Sequence, residues 1–69
     1  MNQNSKKNIA CNVEKLRRER KITKEALSLA LGFDNSYISK LEKENINITI
    51  EKLDKIADYL NIPTKELFN

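Results

Sequence analysis

The sequence predicts an all-α protein, and three observations support this fold class. The 69 residues include one glycine, one proline, two tyrosines and two phenylalanines, which is too few for a β-sandwich or barrel. Apolar residues recur at intervals of three and four, the spacing of one helix face. Threonine or aspartate precedes each later apolar segment, where these residues cap helices. We therefore expect a compact fold of five helices.

The first predicted helix covers residues 8–20. Ile9, Val13 and Leu16 follow one another at helical spacing and form its inward stripe. Residues 1–7 are polar and lack this periodicity, so they predict a flexible N-terminal arm. The remaining length, residues 8–69, suits a single folded domain.

Two short helices follow, joined by a tight turn. Thr23 is a good N-cap for a helix over residues 24–31, and Gly32 stands where helices commonly end in the left-handed conformation. Asp34 is placed to cap a third helix over residues 35–43. A connection of about three residues with a glycine predicts a helix-turn-helix, whose second helix enters the major groove of DNA.

The C-terminal part predicts two further helices. Thr49 caps a fourth helix over residues 50–60, and Pro63 prevents this helix from continuing. Thr64 then caps a short fifth helix over residues 65–68.

Charge is distributed unevenly along the chain. Residues 1–24 hold eight basic and two acidic residues, whereas residues 25–69 hold five basic and eight acidic residues. A basic region on a nearly neutral body is typical of a protein that binds a polyanion. A solvated basic helix with a polar tail would give the same distribution, so charge alone does not decide between them.

The composition argues against an enzyme and against a metal or membrane protein. With no histidine and one cysteine, the chain has neither a zinc ligand set nor a base for a nucleophilic serine. No apolar run approaches about 18 residues, and no signal peptide precedes the charged segment. We expect a cytoplasmic protein without a cofactor, and no small-molecule ligand is evident.

The residues of the predicted helix-turn-helix carry a family resemblance. They are Thr23-Lys-Glu-x-Leu27, Gly32 and Ser36-Tyr-Ile-Ser-Lys40-Leu-Glu42, flanked by Leu16-Arg17, Leu53, Ile56, Ala57, Leu60 and Leu67-Phe68. This pattern resembles the Cro/CI repressor family, also called the Xre family. The resemblance implies a lambda-repressor-like fold and a dimer that regulates transcription at a pseudo-palindromic DNA operator. Restriction–modification controller proteins and phage-type repressors are similar in size.

Helix-turn-helix geometry and the resemblance indicate which residues contact DNA. Asn35, Ser36 and Lys40 are the expected base contacts, because asparagine pairs with adenine, lysine with guanine and serine with several bases. Lys40 can also reach a phosphate instead of a guanine. The alternative is that all three are ordinary surface residues. The candidates for phosphate contacts are Lys24, Tyr37, Lys43 and Asn45. For Tyr37 a packing role is equally compatible with the sequence.

The resemblance also implies structural roles. Arg17 and Glu42 are expected to form an ion pair that holds the third helix against the first. Ser28 replaces the alanine usual in the family, so its hydroxyl is expected to bond to a carbonyl one turn earlier. The expected dimer surface consists of Ile46, Ile48, Ile62 and Phe68. The alternative is that these apolar residues close the core.

A protein-interaction module, such as an antitoxin or an adaptor with the same fold, is the alternative function. Such a module would expose aromatic or aliphatic anchors where Lys24, Asn35, Ser36 and Lys40 stand.

Overall fold

The computed structural model describes residues 3–43 and 47–68, and these residues form four α-helices and one 3-10 helix. They are α1 (Gln3–Glu19), α2 (Lys24–Ala30), α3 (Tyr37–Glu42), α4 (Ile50–Leu60) and the terminal 3-10 helix (Thr64–Phe68). The described part contains no strand, which confirms the all-α class. The fifth predicted helix takes the 3-10 form, so these ranges contain four α-helices rather than five.

Helix α1 begins earlier than the sequence predicts. It starts at Gln3, whereas the sequence predicts a start near residue 8. No glycine or proline interrupts residues 3–7, and their polar side chains do not prevent a helical backbone.

Helix α3 is shorter than the predicted span of residues 35–43. A turn precedes it, in which the amide of Tyr37 donates to the carbonyl of Asp34 at 2.9 Å. The helix therefore begins at Tyr37, and Asn35 and Ser36 belong to the preceding turn. They stand directly before the first turn of α3 rather than within it, and their contact with bases stays a prediction.

Residues from every helix form one apolar core. Helix α3 packs against α1 and α2, while the terminal 3-10 helix packs against α1 and α4. The large side chains that are fully buried are Val13, Leu27, Ile38, Leu53, Ile56, Leu60 and Leu67. Helix α3 is thus held from behind by two helices, and its other face carries the exposed Lys40.

Three helices end in the same way. Lys21, Gly32 and Asn61 follow α1, α2 and α4 with φ angles of 57°, 78° and 62°. In each case the next amide donates to the carbonyl five positions earlier, at 3.1, 2.9 and 3.0 Å, which is the Schellman arrangement. Lys21 is the least suitable of the three residues. Glycine has no Cβ to resist the left-handed conformation, and asparagine tolerates it because its short polar side chain can bond locally.

Replacing Lys21 with glycine is expected to raise the free energy of unfolding by about 0.5–1 kcal/mol, because glycine adopts this conformation without steric cost. Thermal denaturation measures the change as a rise of a few degrees. Gly32→Ala is the converse control. Its added Cβ meets no atom within 4 Å, so the expected loss of stability reports backbone strain alone. A Lys21→Gly variant that melts at or below the temperature of the unaltered protein would contradict the argument.

Candidate nucleic-acid interface

The turn between α2 and α3 is organised by Asp34. Its carboxylate accepts hydrogen bonds from the hydroxyl and the backbone amide of Ser36. These two bonds, the hydroxyl one foremost, lower the pKa of the Asp34 carboxyl, and the charge of Lys40 adds to the effect. Asp34 therefore caps the turn that leads into α3, whereas the N-cap position of the helix belongs to Ser36 and not, as predicted, to Asp34.

The three expected base-contacting residues lie in and just before α3: Asn35 and Ser36 directly precede the helix, and Lys40 is in its last turn. Asn35 and Lys40 are exposed, and Ser36 is half-buried. The amide of Lys40 donates to the carbonyl of Ser36 at 3.0 Å, so these two residues lie one helical turn apart on the same face. The Ser36 hydroxyl already donates to Asp34, which leaves its oxygen lone pairs as its means of contacting a base.

Glu25 is a neighbour of this group that the sequence did not indicate. Its carboxylate oxygen Oε2 lies 3.5 Å from the side-chain nitrogen Nδ2 of Asn35. Ten positions separate the two residues, and only the packing of α2 against α3 brings them together. This distance is long for a hydrogen bond, but it places the Glu25 carboxylate where it can orient the side-chain amide of Asn35.

The candidate phosphate-binding lysines stand at helix ends. Lys24 is exposed at the first position of α2, directly after Thr23, whose hydroxyl accepts from the amide of Ala26 at 3.0 Å. Lys43 is exposed at the end of α3. Asn45 lies outside the described residues.

Tyr37 has the environment of a packing residue. Its ring lies 4.5 Å from the ring of Phe33, measured between centroids. Its hydroxyl is enclosed and has no hydrogen-bond partner within residues 3–43 and 47–68. Burial also raises the pKa of this hydroxyl. An enclosed hydroxyl does not reach a phosphate, so the structure favours the packing role over the expected phosphate contact.

Two lysines of α4 lie beside this aromatic pair, and the sequence analysis did not single them out. The ammonium of Lys52 is 5.1 Å from the ring of Tyr37 and 5.8 Å from that of Phe33, and the ammonium of Lys55 is 5.8 Å from the ring of Phe33. These are cation–π distances. Positive charge from α4 is therefore held close to the first turn of α3.

The predicted ion pair between Arg17 and Glu42 is present. The Nε atom of Arg17 donates to Oε2 of Glu42 at 2.8 Å, and its Nη2 atom donates to Oε1 at 3.2 Å. The side chains are only 8% and 5% exposed. A third donor of Arg17, Nη1, bonds to the carbonyl of Ile22 at 2.8 Å. This arrangement ties the end of α3 to α1 and to the segment before α2.

The expected dimer residues divide between two environments. Ile48 and Ile62 are half-buried and pack against the core, in agreement with the alternative interpretation, while a dimer contact through their exposed parts stays a prediction. Phe68 is 39% exposed. Ile46 lies outside the described residues. The other large apolar side chains that the described part exposes are Leu29, Ile50 and Tyr59.

Neither a metal centre nor a membrane span is found in the described part of the chain. The cysteine and carboxylate side chains of these residues form no group of three or more that could hold a metal ion. None of its helices has the length and apolar character needed to cross a bilayer. Cys11 is exposed and carries a free thiol.

The helix-turn-helix family model matches residues 13–67, which include α2, the turn, α3 and α4. The chain belongs to the helix-turn-helix family of the Cro/CI, or Xre, type. The resemblance expected from the sequence is thereby confirmed. Families of this type are transcriptional regulators and do not form a class of enzymes.

Individual relatives agree with this assignment. The chain is similar to an uncharacterized HTH-type transcriptional regulator, y4dJ, of Sinorhizobium fredii, with 34% identity over 62 residues that cover 90% of this chain and 80% of the relative. The fold superposes on a hypothetical transcription factor, NHTF, from Neisseria with a TM-score of 0.93 and 25% identity, covering 100% of this chain and 79% of that one. It also superposes on the restriction-modification controller protein C.AhdI from Aeromonas hydrophila with a TM-score of 0.85 and 27% identity, covering 91% and 96%.

Proposed function

We propose that this helix-turn-helix regulator binds double-stranded DNA sequence-specifically, as a homodimer on a pseudo-palindromic operator. The observation that carries the proposal is the polar edge formed by Asn35 and Ser36, directly before α3, and by Lys40, one turn after Ser36. Asparagine can bond adenine through two hydrogen bonds, and lysine can bond guanine. In a helix-turn-helix this edge meets the bases in the major groove.

Positive charge around α3 supports the same proposal. Lys24 and Lys43 stand at the start of α2 and at the end of α3, and Lys52 lies beside Tyr37 in the first turn of α3. Lysine side chains in such positions would contact DNA phosphates. These contacts fix the position of the protein on DNA without distinguishing sequences. Base contacts and phosphate contacts would therefore come from different residues.

Homodimer formation is part of the proposal because a two-fold operator needs two copies of α3, with half-sites about 34 Å apart. The partly exposed Phe68 remains a candidate for the interface, whereas Ile48 and Ile62 serve the core. Size-exclusion chromatography with light scattering tests this step. A protein that stays monomeric at tens of micromolar, both free and on DNA, would contradict homodimer formation.

Selection of bound sites from random duplex DNA tests the proposal as a whole. We expect an enriched site with two-fold symmetry and a spacing of about one helical turn between the half-sites. Enrichment of a single half-site would support DNA recognition and contradict binding as a dimer. An absence of any enriched site would remove sequence-specific recognition.

The alternative is a protein-interaction module, and one observation favours it. Leu29 is 59% exposed on α2 and could serve as an aliphatic anchor for a protein partner. The edge of α3 is polar, however, with Asn35 and Lys40 exposed. The DNA selection experiment separates the two functions, and substitution of Leu29 by serine should leave DNA binding unchanged.

Replacing Lys24 with alanine is expected to weaken binding to all DNA sequences evenly and to reduce the slope of log affinity against log salt by about one unit per subunit. The physical reason is the loss of one phosphate contact and of the counterion release that accompanies it. Binding titrations at several salt concentrations measure the slope. Lys65→Ala is the matched control, because Lys65 lies on the terminal 3-10 helix, which packs on α1 and α4. Equal slopes for the two variants would refute a phosphate contact by Lys24.

A further inference from the structure

The hydroxyl of Ser28 joins α2 to α3. It donates to the carbonyl of Lys24 at 2.9 Å, which is the bond that the sequence predicts. It also accepts a hydrogen bond from the backbone amide of Ile38 at 3.0 Å. Ser28 is fully buried, and its bond with the Ile38 amide is made away from water. The second bond links residues ten positions apart and belongs to the packing of the two helices.

This second bond caps α3 from outside the helix. The first amides of any helix lack a partner within the helix. The residue at the N-cap of α3, Ser36, makes no capping bond with its side chain. Ile38 is the second residue of α3 and is itself buried, so Ser28 supplies its amide with an acceptor where no water is available.

The backbone of Ser28 holds the other end of the same turn. Its carbonyl accepts the amide of Phe33 at 2.9 Å, just after α2 ends. The side chain and the main chain of one residue thus contact both the beginning of the turn and the beginning of α3. Asn35 and Ser36 lie between these two fixed points.

We infer that Ser28 is a positioning residue for base recognition: its hydroxyl sets the position of the first turn of α3, and thereby of Asn35 and Ser36, relative to α2. The inference rests on the proposed function. Hydrogen bonds to base edges require donor–acceptor distances within a few tenths of an ångström, so small displacements of this turn affect them. The far end of α3 is fixed separately, by the Arg17–Glu42 ion pair.

Loss of the hydroxyl should displace the turn, because a buried amide without a partner is unfavourable. In a Ser28→Ala variant the Ile38 amide can recover a hydrogen bond only if the start of α3 moves towards water or another acceptor. Contacts by residues of the turn would change first. Phosphate contacts by Lys24, which precedes Ser28 by one turn on α2, would stay as they are.

The test compares the unaltered protein with Ser28→Ala, both well below their melting temperatures. Each is titrated with the site selected by the unaltered protein, with a set of single base-pair variants of that site, and with unrelated duplex DNA. We expect a loss of about five- to tenfold in the preference for the base pairs that depend on Asn35 and Ser36. Affinity for unrelated DNA and its salt dependence should not change.

Thr64→Ala is the matched control for a purely structural effect. The Thr64 hydroxyl donates to the Asp54 carboxylate at 2.6 Å and so also joins two elements, α4 and the terminal 3-10 helix. Its loss should lower the melting temperature without altering base-pair preference. If Ser28→Ala behaves in the same way, the positioning role is refuted and Ser28 only stabilises the fold.

Two further outcomes are distinguishable. If the unaltered protein selects no DNA site, the proposed function fails, and the positioning role fails with it. If the unaltered protein selects a site but Ser28→Ala is unfolded, Ser28→Cys replaces it, because the thiol fills the space of the hydroxyl with a somewhat larger atom and is a weaker acceptor. The cysteine variant should then show the altered preference, and an unchanged preference would overturn the inference.

Discussion

Replacing Glu42 with alanine is expected to lower the free energy of unfolding by about 3–5 kcal/mol. The change leaves the Arg17 guanidinium buried, with its side chain 8% exposed and its carboxylate partner removed. The remaining bond to the carbonyl of Ile22 does not compensate a charge. Small domains have a total stability of about 5–15 kcal/mol, so urea denaturation should show a large shift of the midpoint.

Glu14→Ala is the matched control for this prediction. Glu14 also pairs with an arginine, Arg18, at 2.8 Å, but these side chains are 39% and 69% exposed. Exposed pairs contribute at most about 1 kcal/mol, because water screens them. Similar small losses in Glu14→Ala and Glu42→Ala would show that burial does not distinguish the two pairs. At temperatures where Glu42→Ala is still folded, its base-pair preference should persist.

Local signals in the sequence were sufficient for the start of α2, the end of α2 and the start of α4. Thr23 and Thr49 were expected to cap α2 and α4, and their hydroxyls accept from the amides three residues later at 3.0 and 3.2 Å. Gly32 was expected in the left-handed conformation and has a φ angle of 78°. These features depend on a few consecutive residues, so one sequence contains the information needed to predict them.

Contacts between helices were not predictable in the same way. The bond from the Ile38 amide to the Ser28 hydroxyl and the contact of Asn35 with Glu25 each join residues ten positions apart. They depend on the angle and distance at which α2 and α3 pack, and no spacing rule within one helix specifies these quantities. The Arg17–Glu42 pair was expected only because the family resemblance implied it.

Apolar residues outside the helical stripes were also ambiguous. Ile48 and Ile62 were expected at a dimer surface, yet both pack against the core. An apolar side chain that completes a core and one that lies at a dimer interface have the same chemistry, so composition does not distinguish them. The early start of α1 is not predicted, because residues 3–7 have no apolar period. Periodicity predicts only helices with a buried face.

Replacing Asn35 or Lys40 with alanine is expected to produce the largest effect on operator binding. Loss of one good base contact costs about 1–3 kcal/mol. A homodimer on a symmetric operator would lose the contact twice, and distant losses add, so the expected cost is about 2–6 kcal/mol. Each variant should relax the preference at one base pair in each half-site. Titrations of single base-pair variants of the selected site measure both the loss and its position.

The pattern of loss distinguishes a base contact from a phosphate contact. Lys40 is exposed one turn after Ser36, from where a lysine reaches either a guanine or the backbone. A Lys40→Ala variant that weakens all sites evenly, as Lys24→Ala should, would make Lys40 a phosphate contact. Asn35 has less choice between a base contact and a phosphate contact, because its side chain is short and lies beside the Glu25 carboxylate. An Asn35→Ala variant with unchanged affinity and unchanged preference would therefore contradict the placement of this turn against the bases.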